Sequence, residues 1–131
     1  MNNNYRDDIV ELLHHEMKRY PDVQRGMIFG HPGWKWQDRV FAFPFDDGVC
    51  LKLPRTDYEA ALALPEVVPF APMGERPMGT WAVITYPETE TYLERWDWIE
   101  KALAYVKTDE GAPKKKVRSK KEEVRSKEKG K

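Results

Sequence analysis

RVFAFPFDDGVCLKLP, residues 39–54, is the stretch whose reading decides the fold. It reads as a β-hairpin. Asp46-Asp47-Gly48 suits a three-residue connection, a type I turn closed by a glycine in the left-handed conformation. That loop sets Phe45 opposite Val49, Phe43 opposite Leu51 and Phe41 opposite Leu53. Side chains alternate along a strand, so all six then share one face. A two-residue loop would set Phe43 against Lys52 or Cys50 and spoil that face. The six are therefore expected to meet helices. Ala42, Pro44, Cys50 and Lys52 are expected on a second, partly open face.

On the N-terminal side, residues 5–20 carry Ile9, Leu13, Met17 and Tyr20 at helical spacing, which predicts a helix ended by Pro21. Asn4 suits its N-cap, and Asp7 and Asp8 suit its first turn. Glu11 and His14 form one Glu-x-x-His, a pattern that di-iron bundles use in pairs with further carboxylates. A single copy reads as a solvated helix face. Val23 to Phe29 reads as a strand, and Gly30-His31-Pro32-Gly33 as a shaped loop. In extended chain Trp34 and Trp36 project the same way. They are either a stacking platform or two indoles closing the end of a sheet, and packing is the usual fate of large aromatics.

On the C-terminal side, Thr56-x-x-Glu59 and Thr91-x-x-Glu94 read as capping boxes. They predict a short helix to Leu64 and a long one from Glu88 to Lys107. Between them lie a proline-rich loop over 65–77, with an edge strand near Val67–Phe70, and a strand over Thr80–Tyr86. The long helix presents Tyr92, Leu93, Trp96, Ile99 and Leu103 to the core. Trp98 and Tyr105 then fall on the opposite side, as a contact surface. The expected fold is α+β: a single antiparallel sheet of about five strands with helices packed on one face, in the order α-β-β-β-α-β-β-α.

The formal net charge of zero hides a division. Residues 1–110 hold 12 Lys/Arg against 19 Asp/Glu, a net −7, and residues 111–131 hold 10 against 3, a net +7. The chain thus divides into a domain over 1–110 and a Lys-rich tail over 111–131 that is expected to be disordered. Nucleic acid would be drawn to Lys114, Lys115, Lys116, Arg118, Lys120 and Lys121, with the acidic body opposing approach except where Arg25, Lys35 and Arg39 gather near the Gly30–Gly33 loop. PKKKVR reads as a nuclear-import signal in a eukaryote and as a plain basic tail in a bacterium.

Enzyme chemistry finds no support. Serine occurs only at Ser119 and Ser126, the three histidines form no ligand spacing with cysteine, and no glycine-rich phosphate loop precedes a helix. Cys50 has no neighbour to activate it and reads as an inert filler. No catalytic residue, metal or cofactor is expected. A single cysteine, a start without an apolar h-region and the absence of a spanning apolar run predict a cytoplasmic chain without a membrane partner.

The landmarks Ile28-Phe29-Gly30-His31-Pro32-Gly33, Arg39-Val40-Phe41-Ala42, Asp47-Gly48, Leu51-Lys52-Leu53, Pro69-Phe70, Met78 and Trp81 fall in a characteristic order. Over about residues 5–107 the chain resembles the N-terminal domain of the TfoX competence regulators and the related YjbR/MmcQ-like proteins. The resemblance implies an antiparallel sheet with helices on one side, a role in DNA-linked regulation through a winged surface, and no catalytic residues. The chain departs from TfoX in its acidic body and in lacking the C-terminal helical domain. The leading expectation is a non-enzymatic regulatory or binding module, with DNA or an acidic protein meeting the tail. The alternative is a protein–protein adaptor or homodimer working through Trp34, Trp36, Lys52, Trp98, Tyr105 and the open sheet face.

Overall fold

Closely spaced antiparallel pairs join the first four strands of the computed structural model, which describes residues 5–28, 30–71, 74 and 76–108. These strands are β1 (Val23–Ile28), β2 (His31–Trp36), β3 (Arg39–Phe45) and β4 (Gly48–Lys52). Their closing pairs are Ile28 with His31, Trp36 with Arg39 and Phe45 with Gly48. Tight hairpin loops need left-handed backbone, and Gly30, Gln37 and Asp46 supply it with φ of 78°, 55° and 52°. Two more strands, β5 (Val67–Pro69) and β6 (Trp81–Ile84), complete one antiparallel sheet ordered β1-β2-β3-β4-β6-β5. The sheet has six strands rather than about five. The additional one is β2, whose Pro32 and Gly33 read as loop residues. Gly33 is instead packed in the sheet, where a Cβ would sit 3.4 Å from the Ala42 carbonyl oxygen.

The hairpin register differs from expectation by one residue. Ala42 pairs with Leu51, Phe43 with Cys50 and Pro44 with Val49. Lys52 therefore lies on the Phe43 side, and Phe43 and Phe45 face away from the helices. Phe41 stays on the helix side because β3 bulges: Trp34 pairs with Ala42 but Lys35 with Val40, leaving Phe41 as an extra residue. Gly48 is not the left-handed residue. It closes against β6, where a Cβ would come within 2.5 Å of Thr85 Oγ1 and 2.7 Å of the Ile84 carbonyl oxygen.

All the helices lie on one face: α1 (Asp7–Met17), α2 (Arg55–Leu62), α3 (Thr89–Glu94) and α4 (Asp97–Val106). Ile9, Leu13, Tyr58, Tyr92, Ile99 and Val106 from these helices bury against Phe41, Leu51, Leu53 and Ile84. The two capping boxes do not form. Thr56 and Thr91 lie inside α2 and α3, whose N-cap positions are Pro54 and Glu88 and carry no side-chain cap. The long C-terminal helix is broken at Arg95 (φ −112°, ψ 36°), which resets the helical phase. Asn4 and the tail over 111–131 lie outside the described residues.

The opposite face is covered in part, with Val68 left exposed on it. Phe43, Cys50, Phe70, Trp81 and Val83 form a second buried cluster. The Phe43 ring stands 5.5 Å from Phe70 and 5.4 Å from Trp81. The Phe70 N–H donates to the Trp81 carbonyl oxygen (2.9 Å) and the Met78 N–H to that of Phe70 (2.8 Å), which ties Phe70 to the start of β6.

Candidate functional site

The β2–β3 turn and the end of α4 meet at one corner. Arg39 Nη1 donates to the Val106 carbonyl oxygen at 2.7 Å and to that of Thr108 at 3.3 Å. The last carbonyls of a helix lack backbone partners, and a cation there also complements the negative end of the helix dipole. The same guanidinium lies 5.5 Å from the Trp36 ring centroid, and Lys107 Nζ lies 6.0 Å from it. Trp36 is half-buried and, with Pro21, Asp22, Gln24 and Gln37, lines an open groove of about 360 Å³. A smaller hollow of about 120 Å³ is lined by His14, Met17, Lys18, Val23, Arg25 and Trp34. Arg25 stands 5.7 Å from the Trp34 ring. The two hollows offer an indole, amides, a carboxylate and cations: groups that bind, with no nucleophile among the lining residues.

Charge is segregated by element. Among the described residues no strand contains Asp or Glu, while the strands carry Arg25, Lys35, Arg39 and Lys52. The described carboxylates stand on helices, turns and loops, where several are taken up by pairs. Asp8 is held below the usual carboxylate range by its bond to Arg6, and Asp97 by its bond to Arg95.

A second polar feature lies on the helix-free face. His31 is 5% exposed and packed by Tyr5 (5.1 Å between ring centroids), Phe45 (5.7 Å) and Phe43 (6.1 Å). Neither imidazole nitrogen has a partner among the described residues. Burial pushes its pKa down, with Asp46 pulling the other way. Cys50 is buried beside Phe43 in the same cluster, and desolvation pushes its thiol well above the usual range. Such a thiol is a poor nucleophile. Among the described residues no three His, Cys, Asp or Glu gather to hold a metal.

Several expected site residues fall elsewhere. Trp34 is buried at 2% exposure, so the two tryptophans form no joint platform and only Trp36 reaches the surface. Trp98 is no contact surface: it is 6% exposed in the core, on the buried stripe of α4 with Ile99, Ala102, Leu103 and Val106, whose phase is set apart from α3 by the break at Arg95. Tyr105 is half-buried. Lys52 is half-buried on the helix-free face, away from both tryptophans. Arg25, Lys35 and Arg39 do not gather, since Arg25 and Arg39 lie on the helix side and Lys35 on the other. Lys114, Lys115, Lys116, Arg118, Lys120 and Lys121 lie outside the described residues. Missed in the sequence were Asp22, Gln24, Gln37 and Lys107. Gln37-Asp38 is a two-residue turn between an aromatic and a β-branched run, and that spacing is the signal that would have found the corner.

No helix among the described residues is long and apolar enough to cross a membrane. Compared with family models, with curated proteins and with solved structures, the chain finds no match.

Proposed function

We propose that this chain is a non-enzymatic regulatory or binding module of a TfoX-N/YjbR-like, cytoplasmic kind, which contacts nucleic acid weakly through the basic segment after α4. The observation that carries the reading is the charge division, −7 over 1–110 against +7 over 111–131. Lysines gain affinity for a phosphate backbone by releasing its condensed counterions, and such contacts require no fixed geometry. The corner geometry supports it further: α4 ends beside Arg39 and Trp36, so the basic segment follows a corner that already holds Arg39 and Lys107. The described strands contribute no Asp or Glu, so the carboxylates at this end are those of Asp22 and Asp38, in the segments that flank β1 and β3.

The test is titration of fluorescent nucleic acid at two salt concentrations. The full chain is compared with a variant in which Lys114, Lys115, Lys116, Arg118, Lys120 and Lys121 are all replaced by Gln. Full-length affinity should fall in the non-specific range, roughly 10⁻⁴–10⁻⁶ M, drop steeply with salt and vanish in the variant. Undiminished binding by the variant would move the contact into the folded domain. Absence of binding by either chain would leave an acidic protein as the partner of the lysines.

A further inference from the structure

We propose that the Trp36 groove takes one unpaired nucleobase, so that the preferred ligand is a single strand rather than a duplex. This rests on the reading that the chain binds nucleic acid, and it assigns that binding a second, stacking component. Trp36 is the one tryptophan of the hairpin that reaches the surface, and its ring borders a hollow of about 360 Å³. That size lies within the span of small-molecule sites, about 300–1,000 Å³. The rim is matched to a base edge. Gln37 offers an amide donor and acceptor, and the Asp22 carboxylate accepts from an exocyclic amino group.

Gln37 strengthens the assignment. Its position, φ 55°, would be filled more easily by Gly or Asn, yet a long amide side chain stands there at the edge of the groove. The cations fall where the phosphates of a strand leaving the groove would run. Lys107 and Arg39 flank the indole on the α4 side, and Lys18 and Arg25 line the smaller hollow. Lys114 lies seven positions after Lys107, a length that spans at most about 25 Å when extended, so the basic segment is tethered within reach of the groove. In a duplex both faces of an interior base are covered by its neighbours, and the indole could not be used. An unpaired base has a free face, and stacking on an aromatic side chain tolerates any base.

The experiment compares three probes of equal length, about twenty nucleotides, on the full chain: oligo-dT, an abasic strand with the same phosphates, and a duplex. The wild type should bind oligo-dT about tenfold more tightly than the abasic strand. Trp36→Leu, checked for folding by circular dichroism, should bring the two to the same affinity without changing the duplex. If Trp36→Leu does not fold, the Gln37→Ala change provides the second readout and should narrow the same gap. Equal affinity of the wild type for oligo-dT and the abasic strand, or preference for the duplex, overturns the stacking site and leaves the tail contact standing. Failure of every probe to bind the wild type overturns both.

Discussion

Replacing Gly48 by alanine tests the observed hairpin register. In the structure the glycine is needed for space: its added Cβ would sit 2.5 Å from Thr85 Oγ1, 2.7 Å from the Ile84 carbonyl oxygen and 3.0 Å from Val83 Cγ1. The hydroxyl can rotate away, but the carbonyl belongs to a paired strand and cannot. Overpacking of this kind costs about 1–3 kcal/mol. In a domain of about 100 residues each kcal/mol lowers Tm by roughly 4–8 °C. Gly48→Asn separates this cause from a turn requirement. At a left-handed position asparagine is tolerated better than alanine, whereas a closed approach to β6 penalises the larger side chain more. Thermal melts of the two variants, and of Gly48→Ala with Thr85→Ala, give the ordering. Asparagine should be the worse, and removing the threonine should restore only part of the alanine loss. An asparagine variant as stable as the wild type would mean that Gly48 serves the turn and that the register is the three-residue one.

Trp98→Ala should lose about 3–5 kcal/mol in urea unfolding, since the indole is 6% exposed in the core, and sedimentation should show no change in mass. A stable variant of lower mass would restore Trp98 as a contact between copies. Stability should also fall with acid between about pH 6.5 and the lower folded pKa of His31, because the unfolded chain takes up that proton first. Below the folded value both states are protonated and this contribution levels off. His31→Phe should remove that slope and, by deleting two unpartnered buried nitrogens, raise stability at pH 5. An unchanged slope would place the titration elsewhere.

Much of the fold was legible because it depends on patterns of period two and 3.6. The antiparallel sheet, the one-sided helices and the strand at 81–84 all follow from such patterns. The register was not legible, and the reason is physical. Alternation assigns faces only when one face is wet, and here Phe43, Cys50 and Val83 are buried on the second face as fully as Phe41 and Leu51 are on the first. With apolar residues wanted on both sides, pairing Phe43 with Cys50 sacrifices nothing. The choice passes to the turn and to the close approach of Gly48 to β6, a contact 36 residues away along the chain.

The candidate site was hidden for a related reason. Trp34 and Trp36 were visible as a pair, but which of them packs depends on α1, whose Met17 borders the hollow that holds Trp34, and on the α4 terminus, which brings Lys107 to Trp36. Neither proximity is encoded near the tryptophans. The net charge of −7 is likewise an average, over helices and turns that carry acids and described strands that carry none. A polyanion responds to the field at its point of approach, and Debye screening over about 8 Å at physiological salt keeps distant helix carboxylates out of that field. At the β2–β3 end that field is set by Arg39 and Lys107 together with Asp22 and Asp38. The proposed contact through the basic segment does not depend on that balance, so neutralising six of its cations is expected to matter more than any single change in the domain.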